Sequence, residues 1–523
     1  MNVLATAATG LITLLNAYVA EFNATDEELY THTIPNSAAA EFLARNIPLF
    51  ECPDKTITRT YYFRWWTYRK HLRKTPSGWV VTEFLPDVGW AGKHNTISCP
   101  FGHHLREGRW LRQATYLDDY VRFMLTEGSV NGPRAYSSWP AWGTLERAKV
   151  TGDFGFATNL LQKFVGNYEA WEKGWTTSGM SLRDVENRQG TRGKSIKTGL
   201  RADRGLFDFT GNREGSEFAL SHDGARPLIN AAMWAEASAI AEIARRSGDT
   251  ELAERFTAKA TSLERNIKAK LWNSDKQFFT TLSVEGQHDD VCELHGYAPF
   301  YFRMPLAGYE AAWKPLVEET GFAAPVGLSF PARNTPGFDL RIDLAKHECL
   351  WNGPSWPYAT SIALTALYQS LQGVHAANMP IGAADFAKLL QQYAAQQKRI
   401  LPDGREVPWI DENLDPITGE WIARQVMIDW ERHGIRPLKY RERGKDYNHS
   451  TFCDLVIAGL VGVQPKDDGL FEVQPMIPAD WGWFKLEHLH YHGKSYTIIF
   501  DRTGQRYGGG TGLRVVEEYE GNT

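Results

Sequence analysis

Glu217 and Glu412 are the residues around which a hydrolytic site can be built. Glu217 lies in Gly211-Asn212-Arg213-Glu214-Gly215-Ser216-Glu217-Phe218, a polar loop just ahead of a strongly amphipathic stretch. Glu412 lies in Trp409-Ile410-Asp411-Glu412-Asn413-Leu414-Asp415-Pro416-Ile417-Thr418-Gly419-Glu420. Two carboxyl groups facing an acetal from opposite sides can split it. One, kept protonated, assists the leaving oxygen, and the other, ionised, activates water or attacks carbon. The apolar bulk of Phe218 is of the kind that raises a neighbouring carboxyl pKa. Taken singly, each loop also reads as a capping or ion-paired turn, and Glu214 stands in reserve as the acid.

Three further loops offer groups that would hold a polyhydroxylated ligand. Trp351-Asn352-Gly353-Pro354-Ser355-Trp356-Pro357 sets two indoles on a rigid Gly/Pro frame, either as a stacking wall or as the structural start of a helix. Trp90 to Asn95, followed by His103-His104-Leu105-Arg106-Glu107-Gly108-Arg109-Trp110, adds hydrogen-bonding groups at Asn95, His103, His104 and Arg109. Adjacent histidines do not readily chelate one ion from a helix, and no HExxH spacing is nearby, so no metal is expected. Asp446-Tyr447-Asn448-His449-Ser450 supplies Tyr447 and His449. These two also fit a lyase, with tyrosine and histidine as base and acid. The polar, Gly/Arg-rich stretch 181–204 reads as a long loop in which Asp184, Glu186 and Arg188 shape access or bind a second sugar.

Amphipathic helices must position these loops. Leu228 to Arg246 places Ile229, Met233, Ala237, Ile240 and Ala244 on one stripe. Ser247-Gly248-Asp249 ends it, and Leu252, Phe256, Ala260, Leu263, Ile267 and Leu271 continue on an antiparallel arm. The same reading pairs Glu107–Leu125 with the segment starting at Leu145, and Trp356–Leu371 with Ala383–Ala395. Phe471–Val473 and Tyr496–Phe500 read as strands of a small C-terminal β appendage. The expected division is a helical body over 1–465 and the appendage over 466–523.

Composition narrows the classes. Of 523 residues, 43% are hydrophobic and 23% charged, which is globular material. Aromatic residues reach 13%, with 19 Trp, an excess that serves equally a large core and a surface for stacking sugar rings. The net charge of −5 excludes a generally basic nucleic-acid binder. Five scattered cysteines without a CxxC pair exclude a zinc ribbon and a dense disulfide framework. Val3 to Ala20 is apolar but lacks a basic leader, so it reads as a packed first helix. No other segment reaches 18 uninterrupted apolar residues, so no membrane span is expected. The compartment is left open between cytoplasm and periplasm or export.

The order of the motifs carries a resemblance. GSEF with the following RPLINAAMWAEASAIAEIARRSGD, then WNGPSWPYATSIALTAL, then DENLDPITGE, resembles the (α/α)6-barrel glycosidases of glycoside hydrolase families 63 and 37 over residues 200–465. It comes nearest to the mannosylglycerate-hydrolase-like branch. The resemblance implies a mainly α (α/α)6 toroid, a carbohydrate substrate, no cofactor and an inverting mechanism. Glu217 stands where that clan places an Asp acid, and Glu412 where it places a Glu base. Leu414 stands where an aromatic residue is usual. Trp90, Trp351 and Trp356 would line the −1 subsite, with Asn352 and Gly353 between the two Trp of the wall. An inverting pair needs carboxyls roughly 6.5–9.5 Å apart, leaving room for a water. The alternatives are a rhamnosidase- or β-L-arabinofuranosidase-type enzyme on the same toroid, and a carbohydrate-binding toroid without catalysis.

Overall fold

Pro227 in the first turn and Gly248, at φ +82°, bound the helix Pro227–Ser247, as proline pre-sets a helical start and glycine a left-handed stop. Asp249 caps the next helix, Thr250–Lys270, by accepting the Leu252 N–H at 3.0 Å. Every stripe residue expected on the two arms is buried, and the arms pack against each other along their length. In the computed structural model, which describes residues 2–128, 132–179, 195–340, 348–435 and 442–518, this hairpin is one unit of an (α/α)6 toroid.

The inner layer runs through Phe101–Gly108, Pro140–Thr151, Pro227–Ser247, Leu294–Tyr301, Pro357–Leu371 and the π-helical Leu455–Leu460, each packing on the next. Side chains close the ring between its last and first members. The Glu107 carboxylate accepts the backbone N–H groups of Phe452, Cys453 and Asp454 at 2.8–2.9 Å. Asp454 accepts from Arg106 Nε at 2.8 Å, Arg109 Nε at 2.9 Å and Trp110 Nε1 at 2.8 Å. That closure corrects one expected pairing. The chain from Glu107 to Leu125 is not one arm, because Arg109 and Trp110 turn inward to Asp454 and the helix restarts as Thr115–Thr126. Phe101–Gly108 packs on Pro140–Thr151, whereas Thr115–Thr126 lies against the strand Gly78–Val81.

Outside the ring, Lys55–His71 packs on Ala383–Gln396 and is sheathed by Asn2–Ala24. Leu11, Leu15, Val19 and Phe22 are buried in that seam, and Arg59 Nε meets Glu21 at 2.8 Å. Among the described residues no helix is long and apolar enough to cross a membrane.

The C-terminal strands Trp483–Tyr491, Lys494–Asp501 and Gly512–Glu518 form an antiparallel sheet that the early strand Leu49–Glu51 completes. His492 and Gly493 form its tight hairpin with φ of 49° and 75°, a two-residue turn whose twist suits the flanking strands. Phe471–Val473 is a strand as expected, but it pairs separately with Val463–Pro465. The described end of the 181–204 stretch is strand and not loop. Ser195–Lys197 pairs with Thr176–Ser178, and Gly199–Arg201 with Leu206–Phe209. Asp184, Glu186 and Arg188 lie outside the described residues.

Candidate active site

The strands Leu206–Phe209 and Gly224–Ala225 hold the ends of the loop bearing Glu217. Within it, Gly211–Glu214 makes a 3-10 turn that ends on Gly215 at φ +73°. A Cβ on Gly215 would stand 2.5 Å from Cys99 Sγ, so both conformation and space require glycine there. Phe218 follows Glu217 at φ +59°, an unfavourable conformation for a bulky residue and of the kind found where surroundings over-determine a site. The Glu217 carbonyl accepts the Trp351 N–H at 3.1 Å, which fastens the loop to the WNGPSWP segment.

Glu412 is fixed from its flanks. Asp411 accepts from Trp409 Nε1 at 3.2 Å and Arg424 Nε at 2.8 Å. Asn413 donates to the Glu348 carbonyl at 2.9 Å and accepts the Ala423 N–H at 2.9 Å. Leu414 exchanges two backbone hydrogen bonds with Ser355. Gly444, at φ +84°, passes so close that a Cβ there would lie 2.4 Å from Asp411 Oδ1. The adjacent Arg443 brings Nη2 to 3.4 Å from Glu412 Oε2 and pairs more closely with Glu348. Cys349 Sγ lies 3.5 Å from Glu412 Oε1.

Carboxyl groups therefore gather in one cleft. The Glu217 pKa is pushed up to about 7, first by removal from water, with the charges of Glu412 and Glu348 adding to it. Glu217 keeps partial solvent access although protein surrounds its carboxyl, as on the wall of an interior cleft. Burial also pushes Glu412 up to about 7, with Arg443 opposing and Glu348 and Asp411 reinforcing. A third carboxyl, Glu83, is buried and pushed up to about 8, chiefly by desolvation. Its Oε1 accepts from Trp90 Nε1 at 3.1 Å.

Glu83, Glu348, Arg443, Tyr136, Cys99 and Cys349 are absent from the sequence-derived set. Tyr136 and Tyr447 both have their phenols held protonated by burial and by the charges of this cluster. The signal that points to most of these residues is adjacency. Glu348 and Cys349 are separated from WNGPSWP by one residue, Leu350, and Arg443 precedes the 446–450 motif.

Several expected ligand groups are engaged elsewhere. Glu214 is fully buried, bonded to Arg226 Nε at 2.6 Å and to the Ile229 N–H at 2.9 Å, and Arg226 holds its carboxyl below the usual range against the cost of burial. Asn95 is spent inside its own loop, donating to the Phe84 and Pro86 carbonyls and accepting from the Val88 N–H. Arg109 belongs to the ring closure. His103 packs in the core among Trp139, Tyr301 and Tyr358, and burial lowers its pKa to about 3. His104 faces Tyr120 and His449.

Trp351 and Trp356 stack on each other, with centroids 4.0 Å apart and planes at 9°, and both are buried. They form a wall whose broad faces largely serve each other. Asn352 is buried, and Gly353 lets the Asp339 carbonyl approach to 2.2 Å of where a Cβ would stand. Tyr447 and His449 are buried together at 4.4 Å between ring centroids, and His449 stacks on Phe84 at 5.7 Å. Trp90, by contrast, is 46% exposed.

The chain is similar to a solved structure named a sialidase, with 34% identity and a TM-score of 0.82 over 97% of this chain and 43% of that one. It thus spans less than half the length of that protein. A GH78-family rhamnosidase of Bacillus sp. GL1 shares the fold at 13% identity and a TM-score of 0.50, over 87% of this chain and 40% of that one. Residues 93–450 match the model of the mannosylglycerate hydrolase MGH1-like glycoside hydrolase domain, and the chain belongs to that family.

Proposed function

We propose that this protein is an inverting, exo-acting glycosidase on a short oligosaccharide or glycoside, with Glu217 as general acid and Glu412 as general base. The observation that carries the reading is an asymmetry within one cleft. Both carboxyls are pushed up to about 7, but Glu412 has the Arg443 guanidinium at 3.4 Å, whereas no cation pairs with Glu217 among the described residues. The proton therefore rests preferentially on Glu217, and the charge on Glu412. In the reaction, Glu412 takes a proton from a water as its oxygen bonds to the anomeric carbon. The bond from that carbon to the glycosidic oxygen breaks, and the leaving oxygen takes the Glu217 proton. Exchange with solvent then returns both groups to their starting states.

A panel of mannosides, glucosides, rhamnosides, arabinofuranosides and sialosides identifies the substrate. NMR of the first anomer released decides inversion, and product sizes from an oligosaccharide decide exo action. Glu217→Gln and Glu412→Gln are each expected to abolish most turnover on the best substrate. Full activity in either variant removes that residue from its role.

A further inference from the structure

Glu83 has no part in the two-carboxyl reaction, yet its setting is highly determined. It follows the strand Gly78–Val81, and its N–H bonds the Asn95 carbonyl at 2.8 Å. The three side-chain bonds of Asn95 close the loop between them. The carboxyl is 4% exposed, with Oε1 on Trp90 Nε1 and Oε2 buried without a partner among the described residues. Trp90 is the most exposed tryptophan among the described residues. Its ring meets Phe84 edge-on at 6.2 Å, and the Arg443 guanidinium carbon lies 5.3 Å from its centroid. The same arginine pairs with Glu348 and Glu412.

An exposed indole gains little from burial, and a buried carboxyl with an unpartnered oxygen is costly to keep. Folding alone does not account for holding one with the other. What the pair achieves is a fixed aromatic face beside the acid cluster, suited to the C–H face of a sugar ring. Resting on the glycosidase reading, we propose that Glu83 is a positioning residue that fixes the Trp90 ring at the mouth of the cleft as a stacking platform for a sugar unit of the substrate.

Two measurements on the full chain test this. The Trp90 indole N–H resonance, assigned by its loss in Trp90→Phe, is expected to exchange slowly in the native protein and in Glu83→Gln, whose amide oxygen still accepts it. In Glu83→Ala it is expected to exchange about tenfold faster, the scale of one lost hydrogen bond. On the best substrate of the panel, Glu83→Ala and Trp90→Phe are each expected to raise KM about tenfold with a smaller change in kcat. Glu83→Gln recovers most of that KM, and Glu83→Ala adds nothing in a Trp90→Ala background. Unchanged indole exchange in Glu83→Ala overturns the proposal whether or not a substrate is known. Multiplying KM effects of Glu83→Ala and Trp90→Ala overturn it as well. Accelerated exchange in a protein that hydrolyses no glycoside overturns the glycosidase reading, and with it the purpose assigned to the platform.

Discussion

The ring closure and the acid cleft are made of the same groups, buried carboxyls and arginines, and differ in how charge is matched. At the closure, Asp454 sits between Arg106 and Arg109, and Glu146 meets Arg109, Lys149 and Arg303. These cations hold both carboxyls below the usual range in spite of burial. In the cleft, Glu83, Glu348 and Glu412 lie around Arg443, and Glu217 faces the charges of Glu412 and Glu348. Glu83, Glu217 and Glu412 are pushed up to about 7 or 8. Matched carboxylates are permanent charges and serve as scaffolding. Unmatched ones hold protons near neutral pH, which is what acid–base chemistry requires.

The largest expected effect separates the two regions by what each substitution damages. Glu217→Gln and Glu412→Gln should lower kcat by about 10²–10⁴-fold, the usual contribution of a general acid or base, while unfolding midpoints in denaturant stay level or rise as carboxyl repulsion is relieved. Asp454→Ala should do the reverse in kind. It strands Arg106 and Arg109 in the core and is expected to cost about 3–5 kcal/mol of stability, read from the same unfolding curves. A cleft variant that unfolds, or an Asp454 variant of native stability, would erase the distinction.

The two regions also differ in how much of them can be read from sequence. The 227–270 hairpin is legible because period, Pro start, Gly stop and Asp cap all agree locally. The Glu217 and Glu412 loops are visible through their Gly, Pro and aromatic punctuation. Phe101–Gly108 misleads, because its sequence, FGHHLREG, is polar while every residue is buried. Its charges are satisfied by Asp454 and the 452–454 backbone, some 345 residues away in sequence. His103 and Arg109 therefore look like ligand groups and are core. Glu83 fails the other way, since VTEFL carries no local signal, and Arg443 is marked only by its place just before the 446–450 motif. They become site residues only when separate chain segments meet. Trp351 and Trp356 show the limit of type-based reading, because the rings are where the motif places them but face each other.

The cleft's raised pKa values carry a signed consequence for stability. Between the ordinary glutamate value of 4.5 and the folded values of about 7 for Glu217 and Glu412 and about 8 for Glu83, these three carboxyls bind more protons in the native state than in the unfolded chain. Stability should therefore fall as pH rises from about 7 to 8. Below that range the histidines that burial keeps neutral, His32, His71, His103, His104 and His449, still titrate in the unfolded chain, and their lowered pKa values act with the opposite sign. Glu236, also pushed up to about 8 by burial in the inner ring, adds to the same slope. Asp454 and Glu146, the lowered carboxyls of the closure, act only at acid pH, where their protonation removes stability, whereas Glu107 there is raised by burial and acts with the same sign as Glu236. Urea unfolding at pH 7 and pH 8 measures the slope, and Glu83→Gln should make it shallower. Activity should peak near pH 7, with limbs that belong to the coupled cluster as a whole and not to one residue. A slope that rises with pH, or one that Glu83→Gln leaves intact, would mean that the cleft is ionised throughout.

The smallest effect lies just past Glu412, where DPITG looks as chemical as the acid before it. Asp415 Oδ1 accepts the N–H groups of Ile417 at 2.7 Å and Thr418 at 3.1 Å, and Gly419 closes the turn at φ +83° by donating to the Asp415 carbonyl at 2.9 Å. This is an aspartate-capped turn that delivers Trp421 to the next helix and keeps Leu414 on Ser355. Asp415→Ala should cost about 1 kcal/mol of stability, the size of a lost local cap. It should leave the pH profile unshifted, because Asp415 is not among the main charges acting on Glu412. Asp415→Asn keeps the accepting oxygen and should restore the stability. A displaced pH optimum in Asp415→Ala would move this aspartate from the scaffold into the acid cluster and redraw the boundary between the two regions.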